Sequence, residues 1–480
     1  MNFCNKEIIE KIESFIDEHK LQIVYELMEL VKIPSIRGKA SELAPFGEDC
    51  KRVIETVEKL YESHGFNSKR EKNNHYVISY FANNGKKQIG IFSHADVVPV
   101  DGEWLITQPF EPIVKDGYMF GRGCNDDKSG IIQALYAAEI IKELELPFKS
   151  ELVMFAGANE ETGMADMTVF CENEKMPDVS LVPDGEYPFY SGEKNIIKFD
   201  IISASKIEKI KKFQGGKASN IVLGEIDLEL DYSAELWNEI QRLCENDSKF
   251  ILEHSSETIF IKVKGKSNHI VRINDSINAA QVAAEMLLKC NNVSDTDKIL
   301  LRDIVKFIDG GYGSGFGIEH SDEEFGNLIC GNGIVDITPE RKLRINFDVR
   351  SSPFLDTDEL IEKIKKTVKP NWDIEISRNS RGYLIDENEC IPKIIKDVYS
   401  CLSGITEIKV LKTSGGTYSR MLKNAYSIGN IAQYKAEPIS LPDGHGGFHQ
   451  PDEKLSIDGF LEGIKLLVCM IMEIDALLNK

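Results

Sequence analysis

A chain of 480 residues exceeds what one ordinary hydrophobic core organises and calls for about two or three domains. Hydrophobic residues at 42% and charged residues at 28% give a globular balance, not that of a disordered, fibrous or low-complexity chain. The formal net charge of −21 sets the surface against nucleic acid and anionic membranes, and leaves small molecules and metal ions open as partners.

No stretch reaches the roughly 18 uncharged apolar residues of a membrane span. The N-terminus carries Lys6, Glu7, Glu10, Lys11 and Glu13 where a signal peptide needs an apolar run. Ten scattered cysteines without a CxxC pair read as reduced thiols of a cytoplasmic protein, not as a disulfide framework or a zinc-finger site.

In chain order, apolar residues at helical spacing predict two N-terminal helices, one around Ile8 to Ile16 and one around Ile23 to Val31, with Pro34 stopping the second. Strands and helices then alternate: a strand at Gln88 to Phe92, a helix over 129–145, a strand at Glu151 to Ala156, a helix at Ala165 to Glu174 and a strand at Ser180 to Val182. Near-continuous apolar strands in that order predict an α/β domain with a mainly parallel central sheet. Residues 194–384 change texture, with more alternating strands and with helices at 232–246, 276–290, 297–308 and 356–367. That predicts an α+β lid domain inserted into the first, and the pairing of its helices suggests two ferredoxin-like halves. The α/β texture returns over 385–480 and ends in a long helix near 456–478. The expected division is therefore 1–193 and 385–480 for the α/β domain and 194–384 for the lid.

In open α/β sheets, ligands bind beyond the carboxyl ends of the strands. Three predicted strands deliver polar clusters there: Ser93-His94-Ala95-Asp96, Asn159-Glu160-Glu161 and Pro183-Asp184-Gly185. A fourth cluster, Asp126-Asp127, opens a helix. Each alone reads as a structural pair, a turn or a helix start. Together they would concentrate negative charge in one crevice, which a cation must compensate. Histidine with carboxylates and no cysteine fits a hydrolytic zinc or manganese site, and a bridging carboxylate fits a two-metal one.

The order and spacing of SHADVVP (93–99), Trp104 with PFEP (109–112), GRGCNDDK (121–128), NEETG (159–163), PDGEYPF (183–189), GEK (192–194), SGGTYSR (414–420) and HQPDE (449–453) carry a resemblance over nearly the whole chain. The sequence resembles the co-catalytic di-metal aminopeptidase/aminoacylase superfamily, in the branch of peptidase V and carnosinase-like Xaa-His dipeptidases. The resemblance implies two divalent ions per chain, zinc first and manganese or cobalt as alternatives. It implies His94 and Asp184 on one ion, Glu161 and His449 on the other, and Asp126 bridging. Asp96 is similar to the acid that orients a ligand histidine, and Glu160 to the general base. His269 resembles an oxyanion donor, Arg350 the group that grips the substrate carboxylate, and Asn220, Gly415 and Gly416 other parts of that pocket. His445, in GHGGFHQ, competes with His449, and the HQPDE context favours the latter.

The pattern also departs from the family: Ser129 is extra, Asn195 stands where a glycine is usual, and no proline follows Asn220. The remaining histidines (19, 64, 75, 254 and 320) are expected at the surface. The implied activity is hydrolysis of short peptides with a free C-terminal carboxylate, by a monomer in which a doubled lid takes the place of a partner chain. An N-acyl amino-acid deacylase using the same site is the alternative, and a non-catalytic peptide-binding relative a more distant one.

Overall fold

A computed structural model describes residues 5–81 and 87–480. The expectations for the first four residues, Cys4 among them, lie outside the described residues. The chain separates into two compact units, Met1–Gly192 with Ile385–Lys480, and Glu193–Leu384. Glu193 thus falls in the second unit, one residue before the boundary read from sequence.

The first unit is built on a six-stranded sheet of order β1-β2-β6-β3-β7 followed by the strand Ala425–Gly429. Its members are β1 (Asn67–Arg70), β2 (Tyr76–Phe81), β3 (Gln88–His94), β6 (Glu151–Gly157) and β7 (Val179–Gly185). From β6 through β3 and β7 to Ala425–Gly429 the pairing is parallel, while β1 and β2 add an antiparallel edge. Parallel strands covered on both faces require apolar residues at nearly every position. Ile89, Ile91 and Phe92 of β3 and Leu152 to Ala156 of β6 are accordingly buried.

Helices α1 (Lys6–Val31), α2 (Glu48–Ser63), α3 (Lys128–Glu143) and α4 (Ala165–Asn173), with the C-terminal helix Ile457–Leu478, surround this sheet. The two helices expected at the N-terminus are one. Between Asp17 and Gln22 there is no glycine or proline to break the backbone ladder, and α1 runs unbroken for 26 residues from its Asn5 cap. A small sheet joins β4 (Ile113–Lys115), β5 (Tyr118–Phe120) and the strand Lys454–Ser456. None of the helices among the described residues is long and apolar enough to cross a membrane.

The second unit holds two antiparallel sheets that share one apolar core. In one, the order is Ile210–Gln214, Glu225–Asp231, Thr258–Lys264, Phe250–His254; in the other it is Ile329–Gly331, Lys342–Ser351, Asn195–Lys206, Trp372–Ser380. In each half a helix connects two strands that are not neighbours, Ala234–Cys244 in the first and Thr357–Val368 in the second. That is the layering of a split βαβ unit. Asp356 caps the second helix by accepting the N–H groups of Asp358 and Glu359 at 2.8 and 3.2 Å. Asn195 fills the position where a glycine is usual and works there. Its amide donates to Ser351, Ser352 and Leu355, and its oxygen accepts from Gly382.

Candidate metal centre

Register in the central sheet assembles the polar groups. His94 lies opposite Gly157 at the end of β6, and Ile91 opposite Leu181, so His94 and Asp184 leave the sheet at the same level. Asp126 arrives just before α3. Its Oδ1 is 3.0 Å from His94 Nε2 and its Oδ2 is 3.1 Å from His449 Nε2. Asp184 stands 4.0 Å from His94 Nε2, and Glu161 3.1 Å from His449 Nε2. Two groups result, His94–Asp126–Asp184 and Asp126–Glu161–His449, each with donor atoms close enough to surround one ion. Asp126 belongs to both, one oxygen turned to each histidine.

Charge shows how far this cluster is from balance. Burial holds the carboxyls of Asp184, Glu160 and Asp127 well above the usual carboxylate range, and neighbouring carboxylates push the same way. Glu161 is raised by burial and by Asp126. Burial opposes the charge on Asp126 too, yet hydrogen bonds from His449 and His94 hold it below that range. Burial disfavours the charged form of both imidazoles, but acceptors from Asp126 and Asp96 at His94, and from Glu161 and Asp126 at His449, raise them. Six carboxylates around two imidazoles cannot all ionise without added positive charge. Glu160 Oε1 and Asp127 Oδ1 are buried and find no hydrogen-bond partner among the described residues. Oxygen and imidazole donors without thiolate, shared through one carboxylate, fit a pair of divalent cations that displace these protons.

Around the donors lies a layer of supports. Asp96 serves both His94 and the Glu160-Glu161 turn. Its carboxylate accepts both turn N–H groups, at 3.0 and 3.2 Å, while His94 Nδ1 faces the Asp96 main-chain oxygen at 2.9 Å and the carboxylate at 3.5 Å. Asp127 accepts the His94 N–H. Tyr418, whose ring meets that of His94 edge-on at 6.4 Å, donates to buried Asp166, which also accepts the Asn159 N–H. Gly415 and Gly416 belong to the loop leading into Tyr418, and Arg420 closes that loop by donating to the Gly415 carbonyl. His445 does not join the donors, because its Nδ1 is engaged 2.6 Å from Asp452. Ser129 is accommodated at the start of α3, donating to Asn125 and accepting from Asn430.

The other three expected site residues lie in the second unit. His269 caps a short 3₁₀ turn, Ile270–Asp275, by accepting the Val271 N–H, and pairs with Ile221 beside Asn220. The Asn220 carbonyl accepts from Ile270. Arg350 pairs in register with Ile329, which packs with Ile270 and Val222. Its guanidinium is not the surface charge its position alone suggests. At 6% exposure it forks onto buried Asp348 at 2.6 and 3.0 Å, and Lys198 approaches the same carboxylate at 3.5 Å.

Sequence reasoning missed several supports. Asp166 and Tyr418 carry no spacing signal, because 252 residues separate them. Glu453 was visible only as part of HQPDE. His64, expected at the surface, is half-buried, its ring enclosed between Glu26 and Glu139 at 3.1 and 3.0 Å. It follows α2 as its cap, where packing against α1 and α3 encloses it.

Comparison with known proteins agrees with this construction. The sequence profile described as "Peptidase family M20/M25/M40" matches residues 90–473. A Staphylococcus epidermidis protein named "Putative dipeptidase" is 25% identical over 428 residues, covering 86% of this chain and 90% of that one. A similarly named Staphylococcus haemolyticus protein is 23% identical, with the same coverage. Among solved structures, human carnosine dipeptidase 1 superposes with a TM-score of 0.60 at 13% identity, covering 98% of this chain and all of that one. The di-peptidase Dug1p from Saccharomyces cerevisiae gives 0.61 at 15% identity, with 98% of each chain covered. At such identities the structural likeness speaks for the fold.

Proposed function

The chain belongs to peptidase family M20/M25/M40, and from that premise we propose that it is a di-metal dipeptidase acting on short peptides with a free C-terminal carboxylate. The carrying observation is Asp126, held between His94 and His449 with one oxygen toward each. Dipeptidase-named relatives that match over most of their length support the substrate class. His94 and Asp184 would hold one ion, Glu161 and His449 the other, with Asp126 shared. Zinc is the first candidate, and manganese or cobalt suit the same donors.

When bound, the ion pair supplies electrophilic activation of the scissile carbonyl and of the attacking water. Glu160, which binds no ion in this assignment, takes a proton from the water as its oxygen bonds to the carbonyl carbon. It returns that proton to the amine as the carbon–nitrogen bond breaks. Burial raises the Glu160 carboxyl, the direction that suits a group which must take up a proton and return it. His269 is assigned to donate to the carbonyl oxygen, and Arg350, whose orientation Asp348 fixes, to select the terminal carboxylate. Asn220, Gly415 and Gly416 complete the proposed substrate contacts.

The decisive experiment measures bound metal per chain and hydrolysis of dipeptides against N-acetyl amino acids. Two ions and faster dipeptide cleavage are expected. Preference for the N-acetyl substrates would make the enzyme a deacylase, and a chain that binds no metal would not be this enzyme at all. The doubled second unit supports activity as a monomer, and the buried thiols of Cys50, Cys124, Cys244, Cys290 and Cys330 support a reducing, cytoplasmic setting. A mixture of the Glu160→Gln and His269→Ala variants should then stay inactive. Recovered activity would show that the site is shared between chains.

A further inference from the structure

The segments carrying Asp126 and His449 diverge from one rung of backbone. β5 and the strand Lys454–Ser456 pair with Phe120 opposite Lys454, and one step further the Gly121 N–H donates to the Glu453 carbonyl at 3.0 Å. From that rung one chain runs forward to Asp126 and the other back to His449. Glu453 closes the fork. Its fully buried carboxylate accepts the N–H groups of Gly123 at 3.1 Å, Asn125 at 3.0 Å and Asp126 at 3.2 Å, and Nη1 of Arg122 at 2.6 Å. Arg122, 1% exposed, lies over the Trp104 ring at 5.6 Å.

Two further features show that the fork needs such a fastening. Gly123 has φ +85°, and a Cβ there would meet Val97 at 2.7 Å, so glycine alone can present its N–H to the carboxylate. On the other branch His449 and Asp452 take φ of 59° and 53°, a left-handed conformation that is unfavourable for a non-glycine residue and persists where surroundings impose it. Asp452 holds its end by accepting from Leu105 and Ile106.

We infer that Glu453 is a positioning residue of the metal centre: its buried carboxylate sets the separation of Asp126 and His449 by gathering the amides of one branch onto the strand that carries the other. The inference rests on the di-metal reading. A carboxylate present only to neutralise Arg122 would have no need of three converging amides, one of them that of the bridging residue itself. His94 and Asp184 hang from the central sheet and are fixed without Glu453. The Asp126–Glu161–His449 group therefore depends on it far more than the His94–Asp126–Asp184 group.

The test counts zinc retained by full-length holoprotein dialysed against graded chelator. Glu453→Gln should release one of two ions at about 10–100-fold higher free zinc than wild type, as loss of a ligand-orienting partner does, while the second ion moves far less. Should that variant fail to fold with Arg122 left buried and unpaired, the double variant Arg122→Met with Glu453→Gln removes the charge pair and reads the same release. Asp475→Asn is the control, a buried acid that accepts from Lys149 and Ser150 away from the donors. If the Glu453 variants keep both ions as wild type does, or lose them only to the extent that Asp475→Asn does, Glu453 is structural and the inference is wrong. A wild-type chain that retains no zinc at any chelator level overturns the di-metal reading first, and this inference with it.

Discussion

The two units handle buried charge in opposite ways. In the first, six carboxylates crowd two imidazoles, and Glu160 Oε1 and Asp127 Oδ1 are left without a hydrogen-bond partner among the described residues. In the second, the Arg350 guanidinium and the Lys198 ammonium share the single carboxylate of Asp348 within a sheet, so positive charge is in excess. A set of groups short of positive charge is prepared to take up cations and do chemistry. A guanidinium held by one carboxylate, with positive charge to spare, stays aimed and suits recognition of an anion. Lesions in the first should therefore strike turnover of every substrate, and lesions in the second should discriminate between substrates.

The sharpest way to break this contrast is Asp126→Ala. Removing the shared carboxylate should leave neither ion retained on dialysis and bring hydrolysis down to background. Metal counting that still finds two ions per chain would disqualify Asp126 as the bridge. Glu160→Gln should lower kcat by about 10²–10⁴-fold with both ions kept. Loss of metal in that variant would instead make Glu160 a ligand.

For the second unit, Arg350→Ala should weaken kcat/KM on dipeptides by tens- to about a hundredfold, the size of a charge-assisted hydrogen bond, and spare the corresponding C-terminal amides. Equal losses on acid and amide would remove Arg350 from carboxylate recognition. The last effect leaves turnover untouched and sharpens the comparison from within the first unit, where one imidazole sits between two carboxylates. Burial opposes the His64 charge, but Glu139 and Glu26 raise the imidazole to about 9. Against an unfolded value of about 6.5, its contribution of about 3 kcal/mol is fully present below pH 6.5 and is lost as pH rises through 9. Thermal unfolding should show wild type losing more stability than His64→Gln between pH 7 and 10, with kcat at pH 7 unchanged. Parallel stability profiles would exclude His64 as the source.

The legible part of the molecule was the part written locally. Strand and helix positions around the site came within a few residues, because β3 and β6 are apolar runs long enough to be buried on both faces and α3 follows at once after Asp127. The junction near Pro34 was read correctly as a stop. The division of α1 was not, since a drift of the apolar stripe around a helix looks in sequence like a break, and only packing along its length shows that the ladder continues.

The amino-acid sequence by itself determined the donor types, their order and the strand ends that carry His94, Glu161 and Asp184, because a strand's carboxyl end is a local property of a hydrophobic run and the turn after it. Tertiary structure alone decided which donors meet. His449 comes within 3.1 Å of Glu161 across 288 residues, and Glu453 takes the amides of Asn125 and Asp126 across 328 and 327. It also separated His449 from His445 by engaging the latter with Asp452, and gave Asp96, which stands beside His94, the N–H groups of a turn to accept as well. Those choices rest on hydrogen bonds between distant segments, whose geometry exists only once the sheet has set the distances among its strand ends.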